Sequence, residues 1–229
     1  MFKKTTTRFI AILTLLVLPF WSPVIFADEP DIDSILENWH EITDVSDFVA
    51  KFSKFVYIVK GEEGELTEII YEYLGQETLD GVSVEKVSMR GSSPQEEHEM
   101  LFWIDGEGKM KKVIDQQTGD EVPLMFAGMI TMFFFLPFYM VENFDEIITE
   151  APEEAEIAVL KDVSERNIGG LPATVYTYNI TGHDEDGQEV ISIYELGDFG
   201  DFQIMVGFDV DMPGEEHTFG YWVEEIVLH

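Results

Sequence analysis

The side chains best suited to acid–base or metal chemistry at neutral pH are His40, His98, His183, His217 and His229, and none falls in a paired-ligand spacing such as His-Glu-x-x-His. The sequence has no Gly-x-Ser-x-Gly elbow and no phosphate-cradling glycine loop. With 46 Asp and Glu, no carboxylate pair stands out as the acid and base of a glycosidase. The absence of cysteine removes disulfides, thiolate zinc sites, cysteine nucleophiles and a lipidated cysteine. His183-Asp184-Glu185-Asp186-Gly187 gathers oxygen donors without the spacing of a calcium loop, and reads as a hairpin turn with Asp186-Gly187 at its corner. Asn179-Ile180-Thr181 is a glycosylation tripeptide inside a predicted strand and is given no role. The expectation is a protein that is not an enzyme and holds no metal or cofactor.

The chemistry that remains is apolar. Residues 122–141 carry no charge and hold Phe126, Phe133, Phe134, Phe135 and Phe138 among Met125, Met129, Met132 and Met140. Flexible thioethers and flat rings can repack around ligands of varied shape, which suits an acyl-chain pocket. The same composition also suits a dry core plug, and at about 20 residues the segment meets the length of a membrane span. Against the span stand its flanks, Asp120, Glu121, Glu142, Asp145 and Glu146, and the interruptions at Pro123 and Pro137. Candidate residues for lining an apolar site, each on an apolar stripe of a strand or in this segment, are Tyr71, Tyr73, Trp103, Met129, Phe133, Phe134, Tyr176, Tyr178, Tyr194 and Trp222.

These residues need a framework, and a chain of 229 residues with 45% apolar content can supply one core. Only 13 Lys and Arg oppose the 46 acids, for a formal charge of −33 that repels phosphate backbones, so nucleic acid is excluded as a partner. Lys3, Lys4 and Arg8 precede an apolar stretch from Phe9 to Ala27, and Asp28 follows. Residues 1–27 therefore read as an export signal cleaved after Ala27, or as an uncleaved anchor, since Ile25 is large for its place before the cut. Cleavage removes three bases and no acid, so −33 becomes −36. Either form works outside the cytoplasm, secreted, periplasmic or attached to the cell envelope. Membrane association could come from an uncleaved N-terminal segment or from 122–141.

From residue 31 to 52 the apolar positions recur at three- and four-residue steps, which predicts an amphipathic helix or a broken pair. The period then changes to two. Strands are predicted at 55–60, 65–74, 82–90, 99–104, 109–115, 157–163, 173–181, 190–196, 202–210 and 219–228, joined by short turns such as Asp80-Gly81. About ten strands without helical crossovers predict an antiparallel, meandering sheet. Residues 79–87 and 168–176 share their glycine and apolar positions, so the strands on both sides of the apolar segment are expected in one sheet.

Tyr73-Leu74-Gly75-Gln76-Glu77-Thr78-Leu79-Asp80-Gly81-Val82, followed by Phe102-Trp103-Ile104-Asp105, resembles strand motifs of the outer-membrane lipoprotein carrier (LolA-like) superfamily and its lipoprotein relatives. The resemblance covers most of residues 31–228 and implies an α+β, mostly antiparallel fold. In it an unclosed half-barrel wraps over an N-terminal helix and a helical insertion at 122–150, forming one domain over 28–229 with an apolar cavity for acyl chains. The function expected is extracytoplasmic, non-enzymatic binding of a lipid, an acyl chain or a lipid-modified partner protein. The alternative is a structural or sensory envelope module whose sheet binds another protein and holds no ligand.

Overall fold

The computed structural model describes residues 24–26, 45–61, 64–93, 97–124, 156–183, 189–211 and 219–229. The predicted export signal apart from 24–26, the predicted helical periodicity before Val45, nearly all of the predicted 122–150 insertion and the predicted 184–187 turn lie outside them. A short helix α1 (Val45–Lys51) leads into β2 (Phe52–Lys60), β3 (Leu66–Leu79), β4 (Val82–Ser92), β5 (Glu97–Asp105) and β6 (Met110–Asp115). After the insertion come β7 (Glu156–Ile168), β8 (Leu171–His183), β9 (Glu189–Asp198), β10 (Gln203–Asp211) and β11 (Phe219–Leu228). β1 (Val24–Phe26) lies parallel to the start of β7.

All of these strands belong to one sheet, ordered β1-β7-β8-β9-β10-β11-β2-β3-β4-β5-β6. Every pairing other than β1 with β7 is antiparallel, as alternation and short turns predict. The path is two meanders rather than one. β2 to β6 and β7 to β11 each run in chain order, and β11 joins them by pairing with β2. The sheet is unclosed, so β6 and β7, consecutive in the chain, lie near its opposite margins. The predicted helical periodicity running to Phe52 stops one residue short, because Phe52 already pairs with Leu228.

The two-residue turns Asp80-Gly81 and Gly169-Gly170 connect β3 with β4 and β7 with β8, in keeping with the similarity of their sequences. The second turn also closes part of the structure. β10 and β11 pair only over Gly207–Val210 and Phe219–Trp222, and beyond that point the β7–β8 tip reaches β11, where the Ile226 N–H donates to the Gly169 carbonyl at 2.8 Å. Gly169 has φ 59°, and a Cβ there would stand 2.7 Å from the Ile226 nitrogen. We expect Gly169→Ala to destabilise the fold by about 1–3 kcal/mol or more, since left-handed strain adds to a backbone clash. Gly170→Ala, with φ 96° and open space around it, carries the strain alone. Chemical denaturation of both variants measures the difference, and equal losses would contradict the close approach.

Burial follows register. One face of the sheet carries Tyr178, Tyr194, Phe208 and Tyr221 as successive cross-strand partners and continues through Val59 into β2. On β2 to β5 the same face carries Phe55, Tyr71, Met89 and Met100 in one row, and Tyr73, Val87 and Phe102 in the next. α1 lies on it, with the Phe48 ring 4.5 Å from Tyr71 and 4.9 Å from Phe52. Near the hairpin tips β8 to β10 are buried on both faces, because Ala173, Val175 and Ile204 on the opposite side also join the core.

Candidate functional site

The aromatic face divides into a sealed centre and open margins. Tyr71, Tyr178 and Tyr194 are at most 5% exposed and pack within the core. Burial disfavours the phenolates of Tyr178 and Tyr71, pushing Tyr178 up to about 12 and Tyr71 well above the ordinary phenol range. These three are packing residues of the sheet. Tyr73 and Tyr176 share the face but are only partly buried.

Tyr73 donates its hydroxyl to Glu85 at 2.6 Å, and this bond is the main cause of its raised pKa. The His229 ring stands edge-on to Tyr73, with centroids 4.7 Å apart, and His229 Nε2 lies 3.1 Å from the Val49 carbonyl oxygen. His229 thereby ties β11, α1 and β3 together.

Trp103 and Trp222 alternate with Phe102 and Tyr221 along their strands and so occupy the opposite face. Trp103 has Lys86 and Lys112 as direct partners on its two sides, each ammonium 5.2 Å from a ring centroid, and its Nε1 donates to Glu77 at 2.9 Å. The indole donation, with Lys86 at 2.9 Å, holds the Glu77 carboxyl below its ordinary range. Trp222 is 37% exposed and donates to Glu224 at 3.0 Å. The structure therefore brings Tyr71, Tyr73, Tyr176, Tyr178 and Tyr194 to one face and separates both tryptophans from it. Met129, Phe133 and Phe134 lie outside the described residues.

Two sets of side chains absent from the sequence-based candidates lie at the margins of the aromatic face. Met89 and Met100 are direct partners on β4 and β5, and both are half-buried, as is Met110 on β6. At the other margin, Leu160 and Tyr176 are half-buried and Val163 is 49% exposed. The methionines were detectable as Met at inward positions of alternating strands. Val163 was not, because the irregularity between Leu160 and Asp162 shifts the alternation.

Among the described residues, no group of three or more His, Asp or Glu is arranged to hold a metal ion, and no helix is long and apolar enough to cross a membrane. The densest carboxylate geometry is structural. Asp105 accepts from the Lys111 ammonium at 2.7 Å and from the Lys109 and Glu107 amides at 2.9 and 3.0 Å, which fixes the β5–β6 turn and lowers the pKa of its carboxyl.

No family model matches the chain, and no curated protein matches it. Solved structures similar to it include a presumed lipoprotein from Parabacteroides distasonis ATCC 8503, at 11% identity and a TM-score of 0.30, over 77% of this chain and 95% of that one. A presumed exported protein with YmcC-like fold from Bacteroides fragilis NCTC 9343 is similar at 8% identity and a TM-score of 0.29, over 78% and 99% of the two chains. At these scores neither likeness bears on function.

Proposed function

We propose that the chain is a non-enzymatic extracytoplasmic binding protein that shelters a lipid, an acyl chain or a lipid-modified partner along the open margins of its aromatic face. The observation that carries this reading is the continuation of the apolar lining past the sealed centre. Met89, Met100 and Met110 toward β6, and Leu160, Val163 and Tyr176 toward β7, remain half-buried or exposed. An apolar chain laid there would remove surface from water at about 25 cal/mol per Å², and methionine adapts to its shape.

The competing reading is an envelope module with a filled core. It draws on Tyr71, Tyr178 and Tyr194, whose burial leaves the middle of the same face packed by protein.

The test is uptake of the neutral fluorophore N-phenyl-1-naphthylamine. Val163→Asn, at a position 49% exposed, is expected to weaken uptake about tenfold, the equivalent of one Val-sized contact. Val227→Asn, 41% exposed on the opposite face, should leave uptake unchanged. Equal effects of the two variants, or no uptake by the parent protein, would overturn the proposal.

A further inference from the structure

Next to an apolar row across β7 to β10, open at Val163 and Tyr176 and buried at Leu196 and Met205, runs a row of oxygen acceptors. Val163, Tyr176, Leu196 and Met205 are successive cross-strand partners; two residues along, on the same face, so are Glu165, Thr174, Asp198 and Gln203. Two strand residues separate the rows by about 7 Å. Thr174 donates its hydroxyl to Glu165 at 2.8 Å, and Asp198 accepts the Gly200 amide at 2.8 Å. Gln203 is 5% exposed, and its Oε1 has no hydrogen-bond partner among the described residues. A buried carbonyl left in this state costs free energy until a donor reaches it.

Burial, and then the charges of Asp198 and Glu165, raise the pKa of the Tyr176 hydroxyl, which places both carboxylates within electrostatic range of the apolar row. Arg166, the neighbouring cation of β7, pairs with Glu195 on the other face.

An apolar strip ending in carboxylates and an amide carbonyl is complementary to a molecule with an apolar tail and a hydrogen-bond-donating cation at its head. We infer that the margin selects long-chain ammonium compounds, with the ammonium set against Asp198, Glu165 and Gln203 and the tail along Tyr176 and Val163. Fatty-acid anions are rejected by the same carboxylates. This inference rests on the proposed binding function and specifies its ligand class.

The experiment is displacement of N-phenyl-1-naphthylamine from the purified protein at pH 7.5 by dodecylammonium, dodecanoate and dodecyl maltoside, each below its micellar concentration. Dodecylammonium is expected to displace the probe at a concentration about tenfold lower than dodecanoate. The Glu165→Gln/Asp198→Asn double variant should bring the two within about threefold. Glu68→Gln/Glu72→Gln makes the same charge change on the opposite face and should keep the preference, which separates this site from the attraction of the whole acidic surface. Dodecanoate matching dodecylammonium, or equal effects of the two double variants, would overturn the inference and leave the binding function standing. If none of the three, the neutral maltoside included, displaces the probe, the binding function falls and the inference with it.

Discussion

Phe52→Ala is expected to destabilise the fold by about 3–5 kcal/mol, the range for emptying a buried aromatic site. Phe52 is fully buried and touches Phe48 of α1 at 4.9 Å, Phe55 of β2 at 5.3 Å and Phe202 at the foot of β10 at 5.4 Å between centroids. It therefore links the two meanders at a place where β10 and β11 are no longer paired. The ring geometries are tilted or edge-on, the arrangements in which aromatic pairs add to simple area burial. For a domain whose net stability is of order 5–15 kcal/mol, such a loss is a large fraction of the total. Denaturant titration followed by tyrosine and tryptophan fluorescence measures it. Trp222→Ala, on the exposed opposite face, should cost about 1 kcal/mol or less. A comparable loss in the two variants would mean that the core does not lie where register places it.

Salt is expected to raise the melting temperature steadily between low ionic strength and 1 M sodium chloride. The 46 acids outnumber the 13 bases, so repulsive pairs greatly exceed attractive ones. The Debye length falls from about 30 Å at 0.01 M to about 3 Å at 1 M, screening most of that repulsion. Ion pairs such as Lys54–Glu225 and Lys86–Glu77 are partly exposed and weaken as well, but pairs screened by solvent add little to stability.

Mild acidification at low salt should act in the same direction. Protonating part of the 46 acids lowers the net negative charge that opposes the compact state, so stability at low salt is expected to rise as pH falls from 7 toward 5. Asp105 and Glu77 set the lower limit. Their carboxyls are held below the ordinary range, so their contribution is complete above the unfolded pKa of about 4 and is lost as pH falls through the lower folded value. A melting temperature that stays flat or falls with added salt would contradict this reading of the charge.

Local features of the fold were legible where a local cause produces them. Alternation placed Tyr71 and Tyr73 on one face, and Asp80-Gly81 marked its hairpin. The pairing of β11 with β2 was not legible, since nothing in 219–228 specifies a partner 160 or more residues earlier in the chain. Trp103 sits in the run Leu101-Phe102-Trp103-Ile104, apolar on both faces, so the pattern cannot tell its side from that of Phe102. Its partners decide the matter, because Lys86 and Lys112 cover it only once β4, β5 and β6 are aligned. The irregularities at Leu160/Asp162 and Met205/Gly207 shift the alternation within the strands that carry the apolar margin. For the same reason Gln203 and Asp198 become neighbours only through register.

The proposed function requires that an apolar molecule occupy the open margins of the aromatic face. Native mass spectrometry of the protein purified from its native source, paired with solvent extraction and mass analysis of the released compounds, measures that occupancy. A discrete added mass is expected, one that extraction recovers as a lipid or acyl compound and that Val163→Asn diminishes. A single mass equal to that of the bare chain, unchanged after incubation with lipid, would contradict it.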